Sequence, residues 1–142
     1  MSVSFQIIHE RGVVLARLSG QVLMADCLST AAAYARHPEA RPTQPLLIDL
    51  TAVSGYEKDY VNILQAMARL PDYLSRSGAE RLVVCLAPTP LSRQISAAVV
   101  RAILSMPGGI ARVAQTEVDA LEILGLPERR LCDLTTGSAR NR

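Results

Sequence analysis

Residues 46–62 read LLIDLTAVSGYEKDYVN, and this stretch decides the fold. The segment over 45–51 is a short, nearly continuous apolar run, which is typical of a central parallel strand covered on both faces. Apolar residues then recur at helical spacing from residue 60 onward. The stretch therefore predicts a buried strand, a short loop and a helix, which is the repeating unit of an α/β sheet.

The segments on either side extend this pattern. Two β-rich runs, over 5–10 and 13–20, are separated by Arg11 and Gly12 and predict a hairpin. Further along, helices are predicted over 23–39, 60–74, 91–106 and 116–125, and strands over 45–51, 81–88 and 110–115. The order β-β-α-β-α-β-α-β-α predicts an α/β fold with a single-layer, mostly parallel five-stranded sheet, whose first strand lies antiparallel at an edge.

Length and composition fit one ordinary globular domain. The chain has 142 residues, of which 49% are hydrophobic and 20% charged, and this balance argues against disorder. We predict one domain over 1–127 and a partly loose carboxyl-terminal tail over 128–142. No apolar run approaches the ~18 residues that a membrane-spanning helix needs. The amino terminus does not resemble a secretion signal, so the expected location is the cytoplasm.

Charge and metal-ligating residues exclude several functions. The net charge is +2, and the arginines are scattered without an aromatic ladder, so nucleic-acid binding is not expected. The three cysteines have no C-x-x-C spacing, and His9 and His37 are isolated. We therefore predict no metal, no cofactor and no disulfide framework.

The element order, together with LLIDLTAV before the third element's loop and TEVDALEILGLP near the end, resembles the SpoIIAA-like fold. That fold is shared by STAS domains, which include anti-sigma-factor antagonists, and by Sec14-like lipid-binding domains. The resemblance covers residues 5–127 and is greatest to small, stand-alone bacterial members, many of which have no assigned activity. It implies a βαβ superhelix and a regulatory or ligand-binding role.

The STAS switch is a serine in a motif similar to Asp-Ser-Ser-Gly, at the start of the helix that follows the LLIDL strand. Phosphorylation there adds about two negative charges and remakes a partner interface. A gapless placement puts residues 57–60 (EKDY) at this position, so the phosphorylatable serine is predicted to be missing. An alternative placement gives the role to Ser54 and Gly55 with a shortened loop. Whether Ser54 is phosphorylated stays open.

The resemblance and the loop position together predict a partner-binding surface at the loop and helix start. Glu57 and Asp59 also suit the positive end of a helix dipole in any protein. Their role is therefore either to bind a partner or to stabilise the helix start. Tyr56 is placed either to touch a ligand at the carboxyl end of the strand or to cover the core. The predicted surface comprises Ser54, Tyr56, Glu57, Lys58 and Asp59.

Three functions compete at this stage. The first is a non-catalytic interaction or regulatory domain that binds a protein partner or itself, with a homodimer as one form. The second is a Sec14-like carrier of a lipid or apolar small molecule, in a pocket between residues 91–106 and the helix over 60–74. An enzyme is not expected, because no catalytic grouping is present. A possible anion site is predicted at the helix start formed by Thr89, Ser92 and Arg93.

Overall fold

The computed structural model describes residues 2–74 and 78–140, with side chains up to residue 135. Within these residues the chain forms one five-stranded sheet and five helices. The elements are β1 (Val3–Ile8), β2 (Val13–Val22), α1 (Met24–Arg36), β3 (Leu46–Tyr56), α2 (Tyr60–Leu74), β4 (Arg81–Leu86), α3 (Pro90–Leu104), β5 (Gly109–Ala114), α4 (Glu117–Ile123) and α5 (Leu131–Arg140).

The strands lie in the order β1-β2-β3-β4-β5, which is also their order along the chain. β1 pairs antiparallel with β2, and every later pair is parallel. The hairpin closes through Gly12, whose φ of 65° lies in the left-handed region, and its amide donates to the Ile8 carbonyl. The predicted α/β class, the mixed sheet and the antiparallel edge strand are confirmed.

Helices cover both faces of the sheet. α1, α2 and α3 lie over one face, called the α1/α2/α3 face here, and α4 and α5 lie over the other, the α4/α5 face. The central strand β3 contributes to the core on both faces. Leu46 and Ile48 pack on the α1/α2/α3 face, while Leu47 packs on the α4/α5 face. Residues 46–50 include no exposed position, and this alternation between the two faces is what the apolar run predicts.

α2 differs from its predicted packing. The helical spacing predicts that one apolar side of α2 packs on the core, formed by Tyr60, Ile63, Leu64, Met67 and Leu70 or Leu74. In the structure, Tyr60 and Leu64 are exposed. Ala66 is the fully buried residue of this helix, and Leu70 and Leu74 pack on the core. The helix packs chiefly against α1 rather than against the sheet, so only a narrow side of it is covered.

The segment predicted as a partly loose tail contains α5, which docks on the α4/α5 face. Leu131 and Leu134 are buried in that cluster, and the Leu131 amide donates to Glu117 Oε1 at 3.1 Å. Arg11 in the hairpin turn forms an ion pair with Glu128. The beginning of this segment is therefore part of the core rather than loose, while residues 141–142 lie outside the described residues.

Replacing Leu134 by alanine is expected to lower the free energy of unfolding by about 2–5 kcal/mol, because it leaves a cavity under α5. Cys132→Ala is the control, since Cys132 lies two residues away on the exposed side of the same helix, and it should change stability by less than about 0.5 kcal/mol. Urea unfolding followed by circular dichroism measures both. An unchanged midpoint for Leu134→Ala would contradict the docking of α5.

Candidate functional site

The predicted partner loop is largely strand. β3 continues to Tyr56 because it pairs with β2 along its whole length, where Gln21 pairs with Gly55 and Val22 with Tyr56. Two register shifts occur in this part of the ladder, which mark bulges or irregularities. Ser54 and Tyr56 therefore lie within strand β3, with Ser54 at the second register shift, and the prediction that they lie in a loop is wrong. The connection to α2 consists of residues 57–59 only.

Glu57 joins the starts of two helices. Its Oε2 accepts a hydrogen bond from the Met24 amide at 2.8 Å, and its Oε1 accepts one from Asn62 Nδ2 at 2.8 Å. The N-cap position of α1 is Leu23, which has no side-chain acceptor, so Glu57 supplies the carboxylate that the free amides of α1 require. Glu57 thus places a negative charge at the positive end of the α1 dipole, although α1 ends more than 20 residues earlier in the chain.

The other four residues of the predicted surface adjoin Glu57 in the chain. Asp59 caps α2, since its Oδ1 accepts from the amides of Val61 at 3.0 Å and Asn62 at 3.3 Å. The Lys58 ammonium lies 5.6 Å from the centre of the Tyr56 ring, a cation–π distance. Ser54 is exposed on the strand. The structure brings all five predicted residues to one end of the domain, and their binding of a partner stays a prediction.

The helix start predicted to bind an anion uses its polar groups internally. The Thr89 hydroxyl accepts from the Ser92 amide at 3.1 Å, and the Ser92 hydroxyl accepts from the Thr89 amide at 2.8 Å, a reciprocal capping box. Pro90 has no amide hydrogen, and Arg93 donates to the Pro88 carbonyl at 3.3 Å. Few donors are thus left for an anion, and the anion site stays a prediction without geometric support.

An apolar cavity of about 140 Å³ lies under the α1/α2/α3 face. The sheet forms its floor, and all three helices contribute walls that are almost entirely apolar. Small side chains account for the space, because Ala31 of α1 and Ala102 of α3 face the sheet where larger residues would fill it. The two segments predicted to flank a pocket, 60–74 and 91–106, both contribute, through Leu70 and Leu74 and through four residues at 99–106.

A buried polar network adjoins this cavity through Tyr34. The Tyr34 ring lines the cavity, and its hydroxyl donates to Gln44 Oε1 at 2.6 Å. Arg81, the first residue of β4, donates from Nη1 to the Tyr34 hydroxyl at 3.2 Å. Sequence analysis missed this network, since Arg81 was one of many scattered arginines and Gln44 carried no motif. An arginine directly before a buried strand was the one available signal.

Cys27 also lines the cavity, and its thiol is unsuited to nucleophilic chemistry at neutral pH. Burial, with smaller contributions from the carboxylates of Asp26 and Glu57, raises the pKa of Cys27 to about 11. Burial alone raises the pKa of Cys85 to about 12. In the part of the chain that the structure describes, no three His, Cys, Asp or Glu side chains are grouped to hold a metal ion. None of the described helices is long and apolar enough to span a bilayer.

No known protein-family profile matches this chain, and no curated protein shows significant similarity to it. Among solved structures, it is similar to an uncharacterized protein from the DUF3478 family of Shewanella loihica PV-4, which is described as having a SpoIIAA-like fold. The two are 17% identical, the alignment covers 86% of this chain and 91% of that one, and the TM-score is 0.49. A similarity at this level carries no argument about function, and the strand order given above defines the fold.

Replacing Glu57 by alanine is expected to lower the free energy of unfolding by about 1 kcal/mol, because α1 loses its only side-chain cap. Glu80→Ala is the matched control, since Glu80 is exposed and precedes β4 without a comparable role. Chemical denaturation of both variants measures the difference. Equal stabilities for the two variants would show that the bridge from Glu57 to Met24 contributes nothing.

Proposed function

We propose that this protein is a non-catalytic binding domain that takes up a small apolar molecule in the cavity under the α1/α2/α3 face. The cavity is the observation that carries the proposal. Protein interiors are packed with few voids larger than a water molecule. The pocket of about 140 Å³ has almost entirely apolar walls, and an apolar ligand that fills it would bury that surface.

The volume limits the ligand. A cavity of about 150 Å³ lined by aliphatic and aromatic side chains stays dry and binds benzene or xenon. The cavity here therefore suits a molecule of about six carbon atoms. A two-chain lipid is far larger than this space. The proposed ligand is therefore a small apolar molecule, and membrane lipids do not fit in the conformation described.

Benzene is the first probe of this proposal, and it should raise the unfolding free energy of the wild type by about 1.4 kcal/mol at ten times its Kd. Ala102→Leu fills the cavity, and it should weaken benzene binding about tenfold or more. Ala98→Leu is the control, because it makes the same change on the exposed side of α3. Thermal unfolding with and without benzene measures the effect. A wild type that benzene does not stabilise would overturn the proposal.

A second candidate function is protein interaction through α2. Tyr60, Val61 and Leu64 expose 78%, 62% and 63% of their surface, although all three are large and apolar. Leu23 at the start of α1 is also exposed, and the Glu57 bridge holds the starts of α1 and α2 side by side. These four residues form the α2 patch. Exposed apolar groups that lie together favour a protein contact, and the patch adjoins the predicted partner residues Lys58 and Asp59.

The test of the α2 patch is self-association, since a second copy offers the same apolar surface in a two-fold contact. We expect a dimer whose population rises with concentration, and we expect the double variant Val61→Ser, Leu64→Ser to be monomeric. Leu104→Ser is the control, because Leu104 is 61% exposed on α3 and lies outside the patch. Sedimentation equilibrium measures the mass. A wild type that is monomeric at all concentrations would reject self-association.

A further inference from the structure

β5 is an open edge of the sheet. Among the described residues, β4 is the only strand that pairs with it. The Ala87 amide donates to the Ala114 carbonyl, which shows that the even-numbered residues of β5 face β4. Because backbone groups alternate in direction along a strand, Ala111 and Val113 point their amides and carbonyls away from the sheet. Outward groups of this kind are a template for pairing with another strand.

Val113 is the most accessible position on this edge. In the part of the chain that the structure describes, its amide and its carbonyl have no hydrogen-bond partner. The Ala111 carbonyl, in contrast, accepts a hydrogen bond from Arg112 Nη1 at 2.8 Å. The Val113 side chain is also 43% exposed, although it is apolar. Val113 therefore offers two main-chain hydrogen bonds and an apolar contact to an added strand.

A groove of about 580 Å³ lies beside Val113, between the end of β5 and α4. Asp119 and Glu122 line it, and neither carboxylate forms an ion pair within residues 2–74 and 78–140. Arg112 lies on the same face as α4, because its partner in the ladder is Val84 of the α4/α5 face. Along this face of the edge, a positive charge is thus followed by two negative charges.

We infer that β5 binds an extended segment of another protein that carries a basic, an apolar and an acidic residue in succession. The segment pairs antiparallel with β5, which is the more stable arrangement per residue. Its apolar residue lies opposite Val113 and exchanges two hydrogen bonds with it. The basic residue lies opposite Ala114, beside Asp119 and Glu122, and the acidic residue lies opposite Arg112. Opposite charges in such cross-strand positions stabilise the pair.

A second copy of β5 fits this edge less well than such a segment. Its sequence over 109–114 is GIARVA, which contains no acidic residue to pair with Arg112. The proposed surface shares no residue with the cavity under the α1/α2/α3 face or with the α2 patch. It therefore adds a binding activity that stands or falls independently of the proposed function.

The test uses two peptides of identical composition, SVKVEVS and SVEVKVS, with blocked termini. Each is titrated into the ¹⁵N-labelled full chain and followed by nuclear magnetic resonance. We expect SVKVEVS to bind at least about fivefold more tightly, because SVEVKVS places like charges opposite each other in the same register. The amide of Val113 should shift and exchange more slowly with solvent. Equal affinities, or shifts that leave Val113 unaffected, would overturn the inference.

Charge variants test the register. Arg112→Glu should reverse the selection at one position, so that SVKVKVS binds more tightly than SVKVEVS. The double variant Asp119→Asn, Glu122→Gln should lose most of the selection for the basic residue. Glu10→Gln is the control, because it removes an exposed carboxylate at the hairpin turn, and it should keep the wild-type ratio. All these positions are exposed, so the variants should fold.

Two outcomes would assign the edge differently and overturn the peptide partner. If Arg112 only protects the edge from aggregation, Arg112→Glu will keep the wild-type preference for SVKVEVS. If a second copy occupies the edge, the Val113 amide will become protected from exchange as the concentration of the protein alone rises. Repeating that measurement in the double variant Val61→Ser, Leu64→Ser separates such pairing from self-association through the α2 patch.

Discussion

The burial of residues 46–50 of β3 on both faces is the constraint on which the rest of the structure depends. Leu47 packs with α4 and α5 on one face, while Leu46 and Ile48 pack with α1, α2 and α3 on the other. A strand with no solvent face requires helices on both sides of the sheet. This requirement explains why α5 docks on the α4/α5 face, since α4 is only one short helix and leaves part of the sheet to be covered.

The two faces are packed differently. On the α4/α5 face, Leu121, Leu131 and Leu134 meet the sheet directly and are buried. On the α1/α2/α3 face, α2 packs on α1 and reaches the cavity only with Leu70 and Leu74. Alanines on α1 and α3 leave the space between helices and sheet unfilled. The α4/α5 face therefore stabilises the domain, whereas the α1/α2/α3 face both stabilises it and leaves space for a small molecule.

Two networks of polar residues lie at opposite ends of the α1/α2/α3 face. At one end Glu57 links the starts of α1 and α2, and at the other Tyr34, Gln44 and Arg81 tie the end of α1 to the start of β4. Each network uses side chains far apart in the chain to satisfy helix or loop backbone groups. The Glu57 network is electrically complemented by the positive end of a helix, whereas the Arg81 network holds a cation among neutral acceptors.

The sequence by itself determined the strand and helix order up to α4, the α/β class and the antiparallel edge strand, because hydrophobic periodicity and turn residues act locally. It also placed the five partner residues at one end and indicated the two helices that flank the cavity. Only the tertiary structure decided that Ser54 and Tyr56 lie in a strand, since the length of β3 depends on its pairing with β2. The tertiary structure also decided the exposure of Tyr60 and Leu64. Their helical spacing is typical of residues that face a core, but both side chains are exposed on α2. The environment of Arg81 likewise arises from residues 34, 41 and 42, which meet it only after folding, so no local pattern could have revealed these hydrogen bonds.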